Sequence, residues 1–94
     1  MKTIEYHPDG EKYSDHECES AARKMLCSTE SLTMTSNEHF ITAVRVFVKE
    51  GLIPHTEVRF LFNRQEILID RNGRLEAWPH GFCDLMQKML FRLL

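Results

Sequence analysis

Long apolar runs are missing from this chain of 94 residues. No stretch approaches the roughly 20 apolar residues that a membrane-spanning helix needs. The opening Met1-Lys2-Thr3-Ile4-Glu5-Tyr6 also lacks the apolar centre of a signal peptide. These absences lead us to expect a cytoplasmic protein without a membrane partner. An excess of positive charge is missing too. Twelve Lys and Arg stand against 14 Asp and Glu, for a formal charge of -2, whereas dedicated nucleic-acid binders carry a basic surplus. There is no even set of cysteines. Cys18, Cys27 and Cys83 make an odd count, which in a reducing compartment means free thiols. Neither internal repeats nor low-complexity linkers interrupt the chain. Its hydrophobic and charged fractions are those of a globular protein, so disorder and fibres are excluded and residues 1–94 are expected to form one domain.

The patterning that is present alternates between short strands and helices. Thr3 to Tyr6 suits a strand, His7-Pro8-Asp9-Gly10 a turn, and Lys12-Tyr13 a short returning strand. Ser14 with Glu17 fits a capping box, after which Cys18, Ala21, Ala22, Met25 and Leu26 recur at helical spacing. Leu32 to Met34 suits a brief strand. A second capping box, Thr35 with Glu38, precedes a stripe of Phe40, Ile41, Val44, Phe47 and Val48, with Gly51 as the C-terminal stop and Pro54 beyond it. Glu57 to Phe62 and Glu66 to Asp70 read as a hairpin around Asn63-Arg64-Gln65. Asp70-Arg71-Asn72-Gly73 reads as a further turn leading into Arg74 to Glu76. From Gly81 or Phe82 onward, Phe82, Leu85, Met86, Met89, Leu90 and Leu93 make the apolar stripe of a last helix. The expected fold is α+β: a small antiparallel sheet with about three helices packed mainly on one face.

Several residue groups merit a chemical reading. Trp78-Pro79 joins an indole to a ring of fixed φ. Together with Phe82, Met86 and Met89 it offers a rigid apolar surface for a protein partner, the alternative being a plug that closes the core. Arg59, Arg64, Arg71 and Arg74 lie on or beside the hairpin and would meet phosphates if they shared a face, although no aromatic stacking pattern accompanies them. His16-x-Cys18 and His80-x-x-Cys83 supply two histidines and two cysteines, a set that suits tetrahedral zinc. Their spacing is not that of a finger, and Cys18 belongs to an apolar stripe, so no metal and no cofactor is expected. Scattered Cys and His residues provide no ordered nucleophile pair, and Glu17, Glu19, Glu30 and Glu38 form no paired-carboxylate motif.

Two stretches resemble a known family. Thr35-Ser36-Asn37-Glu38-His39-Phe40 precedes an amphipathic helix and a hairpin, and the chain then reads Asp70-Arg71-Asn72-Gly73-Arg74-Leu75-Glu76-Ala77-Trp78-Pro79-His80-Gly81-Phe82-Cys83-Asp84. This order is similar to the end of RecF-like and OLD-like ABC-type ATPases, many of which serve in phage defence. There a T-H-S-E-H-L-like segment opens a helix and a D-x-x-G-x-L-x-x-W-P-x-G-F-F-D-like tail follows a hairpin. The resemblance covers Leu32 to Asp84. It implies a detached piece of an ATPase lobe. Ser36 occupies the place of the family's switch histidine, His39 matches its second histidine, and Cys83 replaces the second Phe. The chain has no G-x-x-x-x-G-K-[ST] phosphate loop and no apolar strand ending in paired acids.

The expectation is therefore a non-catalytic protein-interaction module or small accessory subunit. Its partner would be a second copy or a larger ATPase or nuclease subunit, in a prokaryotic phage-defence setting. A nucleic-acid-associated regulator using the arginine-bearing hairpin is the alternative, followed by a small zinc- or thiol-dependent enzyme.

Overall fold

A computed structural model of the protein describes residues 1–77 together with Pro79 and Phe82. In chain order the elements are β1 (Lys2–Glu11), α1 (Asp15–Leu26), β2 (Leu32–Thr35), α2 (Glu38–Lys49), β3 (Val58–Phe62) and β4 (Gln65–Leu68), with a single 3-10 turn at His55–Glu57 before β3. The strands form one sheet in the order β2-β1-β3-β4. β1 pairs parallel with both β2 and β3, and only β3 and β4 pair antiparallel.

The expected antiparallel sheet is thus corrected to a mixed one. A whole helix separates β1 from β2, and another separates β2 from β3. Connections of that length bring the chain back to run in the same direction, whereas a two-residue turn can only reverse it. Only Asn63-Arg64 is such a turn. Both residues have positive φ, 50° and 66°, as a two-residue hairpin loop matched to the strand twist requires. Two α-helices stand among the described residues. The last helix read from the sequence lies outside them.

Other boundaries moved for identifiable reasons. The expected return strand at Lys12-Tyr13 does not form. β1 instead continues through His7-Pro8-Asp9-Gly10 with a register shift, so that Tyr6 and Glu11 both face Thr35. Ser14 is the N-cap of α1, but its side chain makes no capping bond, and its carbonyl accepts from the Glu17 N–H at 3.0 Å instead. Asn37, not Thr35, caps α2. Its side-chain oxygen accepts the His39 N–H at 2.8 Å. Thr35 is the last residue of β2, and its hydroxyl is engaged by the Asn37 N–H at 3.1 Å.

α2 ends as its sequence predicts. Gly51 has φ 83°, the Gly51 N–H donates to the Val48 carbonyl at 3.1 Å, and the Leu52 N–H donates to the Phe47 carbonyl at 3.0 Å. These paired bonds satisfy carbonyls that the helix end would leave without donors.

One face of the sheet carries the core. Register places Ile4 beside Phe60 and Phe60 beside Ile67, a row of apolar side chains across three strands that are all but fully buried. Phe40, Ile41, Val44, Phe47 and Val48 of α2 and Cys18, Ala22, Met25 and Leu26 of α1 complete the same cluster. The helices also lean on each other. The Arg23 guanidinium sits 4.7 Å from the centre of the Phe47 ring, and Tyr13 stacks on Phe40 with centroids 5.5 Å apart.

Glycine matters at two close approaches. A β-carbon on Gly10 would stand 2.6 Å from the main chain of Thr35, and one on Gly73, at φ 78°, would stand 2.5 Å from the Arg45 carbonyl oxygen. Around Gly51 the space is open. Gly51→Ala should therefore cost only the positive-φ penalty, about 1–2 kcal/mol, and Gly73→Ala roughly 3 kcal/mol because the turn must also lift from α2. Urea unfolding of the two variants checks this, and equal losses would contradict a turn docked on Arg45.

Candidate functional site

The Trp-Pro tail is represented by its two described members. Phe82 is fully buried, with its ring edge-on to Tyr6 at 5.6 Å and tilted against Phe60 at 6.2 Å and Phe62 at 5.5 Å. That burial assigns the ring to packing. It closes the end of the sheet where Tyr6 and Phe62, themselves 5.8 Å apart, would otherwise face water. Pro79 is half-buried and its carbonyl accepts the Phe82 N–H at 3.0 Å. Trp78, Met86 and Met89 lie outside the described residues.

The four arginines are not gathered. Arg64 is exposed at the β3–β4 turn, while Arg71 and Arg74 are exposed in the turn beyond the other end of β4. Arg59 is committed within the sheet: its Nε donates to the Thr3 hydroxyl at 2.8 Å and its Nη1 to Glu66 at 2.6 Å. The turn holding Arg71 and Arg74 is built by Asp70. Its carboxylate accepts from the Asn72 N–H at 2.8 Å and the Arg74 N–H at 3.0 Å. The bond from the Arg74 N–H leads in holding the Asp70 carboxyl below its ordinary range; partial desolvation opposes it, and the Asn72 N–H and the charges of Arg74 and His55 assist. The Arg45 Nε then donates to the Gly73 carbonyl at 2.8 Å, fixing the turn to α2.

The segment Thr35-Ser36-Asn37 forms a structural junction. Asn37 donates from its side-chain nitrogen to the Tyr13 carbonyl at 2.8 Å while its oxygen caps α2. The Ser36 N–H donates to the Glu11 carbonyl at 3.2 Å, and the Thr35 hydroxyl donates to the same carbonyl at 3.4 Å. Ser36 and His39 are half-buried. The residues weighed as zinc ligands divide: Cys18 is in the core, His16 is exposed, and His80 and Cys83 lie outside the described residues. Among the described residues no three His, Cys, Asp or Glu side chains group to hold a metal ion.

A feature that sequence reading missed is the outer face of the sheet and its β2 edge. Register sets Leu32, Thr3, Arg59 and Leu68 in one row, and Met34, Glu5, Leu61 and Glu66 in the next. Leu32 is 59% exposed and Leu68 42%, and Met34 and Leu61 are half-buried. The strand Leu32-Thr33-Met34-Thr35 read as generic because an alternation of four residues does not reveal which side of a sheet is uncovered.

A family model described as a protein of unknown function (DUF3696) matches residues 53–93. The match takes in the β3–β4 hairpin, the Asp70 turn and the Trp-Pro tail, and covers under half of the chain. No curated protein and no solved structure matches the chain. No helix among the described residues is long and apolar enough to cross a membrane.

Two measurements follow from this geometry. Phe82→Ala should destabilise the fold by about 3–5 kcal/mol, whereas a loss below about 1 kcal/mol would mean that the ring is not part of the core. Asp70 gives a pH signature. A carboxyl depressed in the folded state contributes stability above its unfolded value, here 3.8, and loses that contribution as pH falls through the folded value. Acid unfolding of Asp70→Asn should therefore show a shallower loss of stability below pH about 4 than the parent chain. Superimposable acid limbs would contradict the Asp70 assignment.

Proposed function

We propose that this chain is a non-catalytic protein-interaction module, a small accessory subunit that assembles with a larger ATPase or nuclease or with itself. The observation that carries the reading is the exposure of Leu32 and Leu68, on the two edge strands of one sheet face, with half-buried Met34 and Leu61 in the neighbouring row. Each of these leucines loses stabilisation in proportion to the area it leaves in water, and apolar groups sharing one sheet face mark a surface that a partner covers.

The resemblance of Asp70–Asp84 to the end of RecF-like and OLD-like ATPases supports the choice of partner, with phage defence as its setting. Residues 53–93 match a family model described only as a protein of unknown function. The switch-like segment supports the same reading. Thr35, Ser36 and Asn37 spend their polar groups on Glu11, Tyr13 and the first turn of α2, which is bracing for the fold. The arginines of the hairpin favour this reading over nucleic-acid binding, since Arg59 is paired with Glu66 and Arg64 points from the opposite end of the hairpin to Arg71 and Arg74.

Sedimentation velocity tests the proposal. A module of this kind should exceed its chain mass of 11.1 kDa as concentration rises, or form a stoichiometric complex with an ATPase encoded beside it. Leu32→Ser combined with Leu68→Ser should weaken that assembly by about tenfold or more. A strict monomer that forms no complex with such an ATPase would overturn the reading.

A further inference from the structure

The turn that follows β4 is fastened to α2, and the two together gather cations that neither carries alone. The turn is fixed within itself. The Asp70 carbonyl accepts the Gly73 N–H at 3.0 Å, the Asp70 carboxylate accepts the N–H groups of Asn72 and Arg74, and the Asp70 N–H donates to the Arg74 carbonyl at 2.9 Å. Its tip lies on the helix. The Arg45 Nε donates to the Gly73 carbonyl at 2.8 Å, and a β-carbon on Gly73 would stand 3.5 Å from that of Lys49. Arg45 and Lys49 are one helical turn apart and so share a face of α2. Arg45, Lys49, Arg71 and Arg74 thus belong to one small region, although helix and turn are far apart in sequence.

Lys49, Arg71 and Arg74 are exposed, and their charged groups form no hydrogen bond or ion pair among the described residues. Arg45 spends its Nε on holding the turn. The acid within the region is Asp70, whose carboxylate already accepts the two N–H bonds that build the turn, and the charges of Arg74 and His55 reach it as well. The next acids along the chain, Glu50 and Glu76, are exposed and pair with none of these cations among the described residues. With all three acids counted, the cations still outnumber them, in a chain whose overall charge is negative.

We propose that this docked turn receives an acidic segment of a partner protein, whose carboxylates meet Arg71, Arg74 and Lys49. Guanidinium groups take carboxylates in paired, charge-assisted hydrogen bonds. A turn already fixed by Asp70 and Arg45 presents them with little further loss of backbone freedom. Protein carboxylates fit this surface better than nucleic acid does. Residues 70–76 contain no aromatic side chain to stack on bases, Asp70 sits among the cations, and the chain as a whole is acidic. The proposal rests on the interaction-module reading and names the chemistry of its partner.

The test uses the full chain, isotopically labelled, and two synthetic heptapeptides that alternate serine with glutamate or serine with glutamine, together with a single-stranded DNA of the same charge as the first. The glutamate peptide should shift the amide signals of Lys49 and of Arg71 to Arg74 most. It should bind at least about fivefold more tightly than the glutamine peptide at low ionic strength. Arg71→Gln combined with Arg74→Gln, both at exposed positions, should remove most of that preference, and Arg64→Gln at the opposite end of the hairpin should leave it unchanged. Equal affinity for the two peptides, shifts centred elsewhere, a double variant that keeps the preference, or an Arg64→Gln chain that loses it equally would overturn the proposal. DNA that binds more tightly than the glutamate peptide would overturn it in favour of phosphates. Assembly with an ATPase or with itself that persists undiminished in the double variant would leave the module reading intact and sink this site alone. A strict monomer that binds the glutamate peptide through Arg71 and Arg74 would support the site and sink the module reading.

Discussion

Gly10 passes so close to Thr35 that a β-carbon on it would stand 2.6 Å from that residue's main-chain nitrogen. Much of the structure hangs on this contact. It lets β1 reach past its irregular middle and bring Glu11 beside Thr35, where the Glu11 carbonyl accepts from both the Ser36 N–H and the Thr35 hydroxyl. From there the chain turns at Tyr13 into α1, and Asn37 ties the Tyr13 carbonyl to the first turn of α2. Three successive residues therefore join the ends of two strands to the starts of two helices. A junction so fully bonded gives the Thr35-Ser36-Asn37 stretch a structural occupation.

Much of the secondary structure was legible in the sequence, because period and punctuation carry it. The stripe from Phe40 to Val48, stopped by Gly51, and the run Val58-Arg59-Phe60-Leu61-Phe62 turning at Asn63-Arg64 both formed close to where they were read. Strand direction was not legible. Short strands of similar pattern do not declare whether they run parallel. The helix lying in each connection decides it, and that argument was available from the order of elements alone. The cap of α2 was misplaced for a related reason. Thr35 and Asn37 are both good caps, and only the pairing of Thr35 with Tyr6 and Glu11 shows that Thr35 still belongs to the sheet.

The candidate surface was legible in a different degree. The tail around Trp78-Pro79 was read from its chemistry, and its described part, Phe82, proves to fill the core against Tyr6, Phe60 and Phe62. The arginines were read as a set, but strand geometry separates them, placing Arg64 at one end of the hairpin and Arg71 and Arg74 beyond the other. What the sequence concealed was exposure. Leu32 and Leu68 lie in different segments and become one face only through the register of four strands. Glu30 is likewise distant in sequence from Asp9 and Glu11, and all three line one groove beside β2.

The physical centre of this reading is the junction at which Glu11 of β1 comes back against Thr35 and Ser36 at the end of β2. Amide hydrogen exchange of the free chain measures that state most directly. A closed junction predicts strong protection of the Ser36 amide, which donates to the Glu11 carbonyl, with the Leu32 amide at the start of β2 exchanging at least about tenfold faster. A Ser36 amide that exchanges as fast as that of Leu32 would mean that Glu11 does not reach the end of β2, and would contradict it.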